Sequence, residues 1–102
     1  MIKTTMLIPV ADNEGEPFSP RLVRSQEQRL LAFGGWSRYE HVTGAWRFQG
    51  RVYQEENLRY TVSITSWAQF PGWLAVVRWA RRAFRQPALY IGLAGIPEVF
   101  AG

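Results

Sequence analysis

Two apolar periodicities alternate along this chain, and their alternation constrains the fold more than any other feature of the sequence. Period-two segments, which are typical of strands, lie at residues 4–10, 36–48, 51–55, 59–65 and 88–94. Segments with the 3.6-residue period of amphipathic helices lie at residues 20–33 and 73–86. This order predicts an α+β, ferredoxin-like βαββαβ fold, in which an antiparallel sheet carries two helices on one face.

The boundaries of the predicted helices carry the residues expected there. Ser19 suits the N-cap of the first helix and Pro20 suits its first turn, while Pro87 stops the second helix. The first helix has an apolar face, and we expect its other face to be solvated; that face bears Arg21, Arg24, Glu27 and Gln28. A turn is predicted at residues 56–57, and the tail after residue 95 has room for one further short strand.

The chain length and the aromatic content together predict a single domain with a surface to cover. A chain of 102 residues suffices for one domain, placed at residues 1–102. Five Trp, six Phe and four Tyr provide more aromatic volume than one small core needs. With both helices on one side, the other sheet face stays uncovered, and Thr61, Ser63 and Thr65 lie on it. We therefore predict a homodimer joined through the sheet face, or a ligand pocket.

Several classes of function are excluded by what the sequence lacks. It contains no Cys, which excludes disulfides, thiolate catalysis and Cys-based zinc sites. His41 is the single histidine and no glycine-rich phosphate loop occurs, so we predict no metal and no other cofactor. No segment has the ~20 apolar residues of a membrane span or the features of a signal peptide. The prediction is a cytoplasmic protein without a membrane partner.

Aromatic and polar residues of the central hairpin form the first candidate site. A pocket for a flat ligand would be lined by Trp36, Arg38, Tyr39, His41 and Trp46. The same rings also suit core packing or a subunit interface. A lone histidine is more often structural than catalytic, because a general base needs an orienting partner. We therefore assign no catalytic residue.

A band of arginines on the second helix forms the second candidate site. The chain has a net charge of +4, and its basic residues are arginines except for Lys3. The band consists of Arg78, Arg81, Arg82 and Arg85, which lie about one helical turn apart and are able to neutralise nucleic-acid phosphates. It also fits an ordinary solvated face near the negative end of the helix dipole, and no stacking motif accompanies it. Nucleic-acid binding is therefore possible but not favoured.

Four short segments carry a resemblance that covers most of the chain. They read DNEGEPF at residues 12–18, FGGWS at 33–37, GAW at 44–46 and QPALY at 86–90. Together they resemble a family of small, uncharacterised bacterial proteins. The resemblance implies a ferredoxin-like domain that pairs as a dimeric α/β barrel, and it brings no activity and no catalytic residues.

Three functions from different classes remain open at this point. The favoured hypothesis is a non-enzymatic, homodimeric accessory or interaction protein, since the sequence lacks a catalytic set. The alternative is a small-ligand-binding protein or cofactor-free enzyme that uses an aromatic-lined pocket. The second alternative is nucleic-acid binding through the arginine band at residues 78–85.

Overall fold

The computed structural model describes the backbone of residues 1–102 and all side chains except those at His41, Gly44, Trp46, Tyr53 and Glu55. Along this backbone the strands are β1 (Ile2–Pro9), β2 (Ser37–Phe48), β3 (Arg51–Ile64), β4 (Leu89–Leu93) and β5 (Ile96–Phe100). The α-helices are α1 (Pro20–Leu30) and α2 (Phe70–Ala83). Short 3-10 turns lie at Leu31–Phe33, after α1, and at Trp67–Gln69, before α2.

The strands form one sheet in the order β2-β3-β1-β4-β5, and every neighbouring pair is antiparallel. The prediction of an α+β fold with two helices and an antiparallel sheet is therefore confirmed. The tail after residue 95 forms β5, which pairs with β4 and extends the sheet beyond the strands of a simple βαββαβ unit. Neither described helix is both long enough and apolar enough to cross a lipid bilayer.

β3 differs from its prediction because it runs unbroken through residues 56–57. Asn57 pairs with Val42 of β2 on one side and with Pro9 of β1 on the other, and it is fully buried. Its side-chain Nδ2 donates to the carbonyl of Val42 at 3.4 Å. The predicted turn is wrong because pairing on both edges outweighs the local preference of a Glu-Asn step for a turn.

One face of the sheet packs against both helices and holds the main core. Alternate residues of the central strands point into it, and they include Met6 and Ile8 of β1 and Tyr60, Val62 and Ile64 of β3. From the helices, Leu30 of α1 and Trp73, Val77 and Ala80 of α2 join the same cluster. The period-two and period-3.6 patterns thus meet in a single layer of buried side chains.

α1 begins as predicted but buries a wider face than its apolar residues alone define. The Ser19 side chain accepts a hydrogen bond from the Leu22 amide at 3.2 Å, which makes it the N-cap. Glu27, which was expected to be solvated, is 9% exposed. The expectation was wrong because Glu27 lies one helical turn from both Val23 and Leu30 and so borders the apolar stripe.

Candidate ligand-binding site

The second face of the sheet, which we call the open face, is lined by the residues that alternate with the core. Lys3, Thr5 and Leu7 of β1 lie on it beside Arg59 and Thr61 of β3, because Thr5 pairs with Thr61 and Leu7 with Arg59 across the two strands. These side chains are mostly polar, whereas their neighbours on the helix side are mostly apolar. The same two strands therefore present a packed surface and a polar surface.

A groove of about 340 Å³ crosses this open face. The open-face groove is lined by Lys3, Thr5, Leu7, Val42, Arg59, Tyr90, Gly92, Gly95 and Pro97. Since the sheet order places β1 between β3 and β4, the β1 residues form its floor and the other strands form its two walls. Its volume lies at the lower end of the range of small-ligand sites.

Arg59 is the residue of this groove with an unsatisfied polar atom. Its Nε is buried and has no hydrogen-bond partner among the described side chains. Its guanidinium lies over the ring of Tyr39, 4.6 Å from the ring centroid, which holds the planar group in place. A buried donor without an acceptor is destabilising, and the penalty disappears when an acceptor binds. Arg59 therefore presents a preorganised hydrogen-bond donor on the open face.

Gly92 keeps the groove open next to its floor. It pairs with Thr5, and a Cβ added at Gly92 would lie 3.4 Å from the Thr5 Cβ and 3.7 Å from the Thr5 Oγ1. A larger side chain at this position would therefore project beside Thr5 into the groove. Gly92 lies within a regular strand, so a branched residue fits its backbone.

A second depression of about 490 Å³ lies at the edge of the same face. The edge notch is lined by Met1, Phe33, Gly34, Gly35, Trp36, Ser37, Thr61, Ser63 and Thr65. It adjoins the open-face groove, because Thr61 and Ser63 pair with Thr5 and Lys3 of the groove floor. Trp36 contributes an indole Nε1 that is buried without a hydrogen-bond partner among the described residues.

On the helix side, a charged cluster joins α1 to β2 and β3. The Tyr60 hydroxyl donates to Oε2 of Glu27 at 2.6 Å, and Nη1 of Arg38 donates to the same oxygen. Arg38 also pairs through Nη2 with Glu40 Oε1 at 3.3 Å. The Trp36 ring packs edge-on against Tyr60, with 5.8 Å between ring centroids. Each charge in the cluster has a partner, which indicates a structural role.

The environment of this cluster shifts two pKa values upward. Burial of Tyr60 raises the pKa of its hydroxyl, and the hydrogen bond to Glu27 raises it further. The hydrogen bond with Tyr60 likewise raises the pKa of Arg38, and its contact with Glu27 acts in the same direction. Tyr60 therefore stays protonated as a donor, and Arg38 stays charged. This arrangement holds a carboxylate in the core and leaves no free base.

The structure divides the aromatic site that the sequence predicted. Trp36 and Arg38 lie at the charged cluster, and Trp36 also borders the edge notch. Tyr39 lies on the opposite side of the sheet, beneath Arg59, because neighbouring residues of a strand point to opposite faces. The side chains of His41 and Trp46 lie outside the described residues. A common pocket for all five therefore remains a prediction.

The arginine band is partly engaged in contacts within the chain. Arg81 donates through Nε to the Gly102 carbonyl at 3.0 Å and through Nη1 to the Gln86 carbonyl at 3.2 Å. The Arg78 guanidinium lies 5.9 Å from the Phe100 ring centroid. Both contacts tie α2 to the C-terminal part of the chain. Arg82 and Arg85 are exposed.

The residues of the open-face groove were not identified from the sequence. Lys3 and Thr5, Arg59, and Gly92 come from three strands that are far apart in the chain and meet through strand pairing. The available signal was the alternation of polar residues with the core residues of β1 and β3. That signal locates the open face, but it does not give the strand order that brings β4 next to β1. Among the described side chains, no group of three or more carboxylate or imidazole ligands could hold a metal ion.

Comparison with known proteins yields fold neighbours only. No family model and no curated protein matches the sequence. A phage SAM lyase in complex with S-methyl-5'-thioadenosine is similar with a TM-score of 0.70 and 12% identity, over 97% of this chain and 86% of that chain. The apo state of phage SAM lyase is similar with a TM-score of 0.64 and 14% identity, over the same shares of 97% and 86%.

A third neighbour is the divalent cation tolerance protein CutA1 from Thermus thermophilus. Its TM-score is 0.53 and its identity 16%, over 100% of this chain and 82% of that chain. At such identities the likeness shows a common fold alone. The fold and the geometry of the groove fit a small protein of the ligand-binding kind.

Proposed function

We propose that this protein binds a small organic ligand that carries an anionic group, and that the open-face groove is its site. The observation that carries the proposal is the buried, unpartnered Nε of Arg59 in the wall of a groove that also contains Lys3. Two cationic side chains at one groove favour an anion, and the guanidinium matches the planar geometry of carboxylate and phosphate groups. The hydroxyl of Thr5 adds a further hydrogen-bonding group on the floor.

The fold neighbours indicate which compounds to examine first. A phage SAM lyase with this fold has been seen with S-methyl-5'-thioadenosine, so adenosyl thioethers are reasonable probes. S-adenosylhomocysteine shares the thioadenosine of that compound and adds an amino-acid carboxylate. A comparison of the two therefore isolates the contribution of the anion.

The test is isothermal titration calorimetry of the purified protein with both thioethers. We expect S-adenosylhomocysteine to bind at least about tenfold more tightly, because a charge-assisted hydrogen bond contributes about 1.5 to 3 kcal/mol. Arg59→Leu should remove that difference. Gly92→Val should abolish the binding of both compounds by filling the groove.

Thr43→Val is the matched control, since it places the same branched side chain at an exposed strand position outside the groove. It should leave both affinities unchanged. Equal affinity for the two thioethers, or wild-type affinity in Gly92→Val, would contradict the proposal.

The fold and the assembly belong to the same proposal. The strand order β2-β3-β1-β4 and the neighbour CutA1 support a ferredoxin-like βαββαβ core to which β5 is added. We propose a cytoplasmic, non-enzymatic homodimer in which a second copy covers the open face and closes the groove. The resemblance to a family of small bacterial proteins with dimeric α/β barrels supports this arrangement. Light scattering that gives the mass of one chain at micromolar concentration would contradict the homodimer.

A further inference from the structure

The main-chain groups of Ser63 face the edge notch, as the hydrogen bonds of the sheet require. The Ala94 amide donates to the Lys3 carbonyl at 2.8 Å, so the main-chain groups of Lys3 point toward β4. In an antiparallel sheet these directions alternate, so Thr4 points toward β3 and its partner Val62 points back. The next residue, Ser63, therefore points its N–H and C=O away from β1, toward the side on which β2 lies.

β2 does not reach far enough to pair with Ser63. Its first residue, Ser37, pairs with Thr61, two residues before Ser63. Gly34 and Gly35 adopt φ angles of 101° and 138°, and they turn the chain before it enters β2. No hydrogen bond from this side reaches the Ser63 main chain within the described part of the molecule. A main-chain donor and acceptor thus face the edge notch side by side.

The surroundings of Ser63 favour a flat ring over an extended peptide. The next main-chain donor along this edge, the Thr65 N–H, is already bonded to Gln69 Oε1 at 2.7 Å, so an added strand could pair at one residue only. Trp36 adds an indole face and an unpartnered Nε1 donor to the same notch. A ring with a donor and an acceptor on one edge satisfies all of these groups.

We propose that the edge notch binds an adenine base and that Ser63 reads it through its main chain. Adenine presents an exocyclic amino donor next to a ring-nitrogen acceptor, which complements one C=O and one N–H. Hypoxanthine has a carbonyl acceptor at that exocyclic position and therefore mismatches the same pair. The specificity of the site for adenine then comes from backbone geometry that no side-chain motif reveals.

The base-binding notch and the anion-binding groove are close enough for one molecule. Lys3 and Ser63 are direct cross-strand partners in a non-hydrogen-bonded pair, whose side chains lie about 4.5 to 5.5 Å apart at Cβ. A nucleoside with its base at Ser63 thus extends its sugar toward Lys3 and Arg59. The inference rests on the proposed anion site and identifies the ligand class as an adenine nucleoside with an anionic tail.

The experiment is calorimetric titration of the full chain with three phosphates. AMP carries adenine and the anion, IMP carries hypoxanthine and the anion, and ribose 5-phosphate carries the anion alone. We expect AMP to bind at least about tenfold more tightly than IMP, since a mismatched edge leaves main-chain groups unpaired. Ribose 5-phosphate should bind most weakly of the three.

Ser63→Pro removes the main-chain N–H at a position where it makes no sheet hydrogen bond, so the strand edge tolerates it. It should abolish the preference for AMP over IMP, whereas Ser63→Ala, the matched control, should retain it. If Ser63→Pro fails to fold by circular dichroism, N6,N6-dimethyl-AMP with the wild-type protein replaces it. That compound lacks the amino donor and should bind at least about tenfold more weakly than AMP.

The outcomes separate this inference from the proposed function. Equal binding of all three phosphates that is lost in Arg59→Leu would uphold the anion site and overturn adenine recognition. Discrimination that survives in a folded Ser63→Pro would also overturn it. Binding of none of the three phosphates would refute both proposals.

Discussion

The two faces of β1 and β3 are built from alternate residues of the same strands, yet they solve opposite problems. On the helix side, Met6 and Tyr60 are each 1% exposed and pack within a continuous apolar cluster. On the open face, their neighbours Thr5 and Arg59 leave space and an unsatisfied donor. The comparison teaches that stability and binding are assigned to different sides of one sheet. Substitutions on the two sides should therefore have different consequences.

The largest effect is expected from the removal of the largest fully buried side chain on the helix side. Trp73 is 1% exposed, and Trp73→Ala should lower the free energy of unfolding by about 3 to 5 kcal/mol through lost packing and the cavity left behind. Tyr39→Ala on the open face, where Tyr39 is 52% exposed, should cost less than about 1 kcal/mol. Urea denaturation measures both. Similar losses would show that the faces do not differ as described.

An intermediate effect is expected at the charged cluster, and it depends on pH. Tyr60→Phe removes the donor to Glu27 and should lower the free energy of unfolding by about 1 to 3 kcal/mol at neutral pH. Because folding raises the pKa of Tyr60 above its ordinary value of 10.0, the unfolded chain loses this proton first as pH rises. Stability of the wild-type protein should therefore fall above pH 10.0.

Denaturation curves between pH 8 and pH 11 test this second prediction, where the pH limits are those of about two units around the ordinary tyrosine pKa. Tyr60→Phe should lack the component of the alkaline loss that arises from Tyr60. An identical alkaline slope in the two proteins would show that Tyr60 does not contribute to it.

The smallest effect on stability is expected at Arg59. Arg59→Met retains an apolar side chain and deletes the unsatisfied Nε, so the free energy of unfolding should change by less than about 0.5 kcal/mol. The matched control is Arg38→Met, which removes a partner of the buried Glu27 carboxylate. Since the Arg38 side chain is 32% exposed and partly screened, this control should lose about 1 to 2 kcal/mol. A larger loss at Arg59 than at Arg38 would assign Arg59 a structural role.

Much of the helix side could be predicted from the sequence because its signals are local. Ser19 marks the start of α1 by its side-chain chemistry, and the alternation of Tyr60, Val62 and Ile64 identifies the buried face of β3. The continuity of β3 through Asn57 was not predictable in this way. Two neighbouring strands determine it, and the local sequence favours a turn.

The open face was harder to predict because pairing creates its site. Arg59 and Gly92 have no unusual local sequence, and they line the same groove through the position of β1 between β3 and β4. Glu27 was misjudged for a related reason. A carboxylate beside an apolar stripe is normally solvated, and it is buried here because Tyr60 and Arg38 supply partners from other elements.

The central place of β1 has a consequence for how the binding surface is assembled. β1 pairs with residues 57–64 and with residues 91–93, so the floor of the groove and its two walls come from distant parts of the chain. Such contacts require closure of long loops, which makes them slow to form. A fragment that lacks either β1 or β4 would have no complete groove, and ligand binding can serve as a report that the whole sheet has assembled.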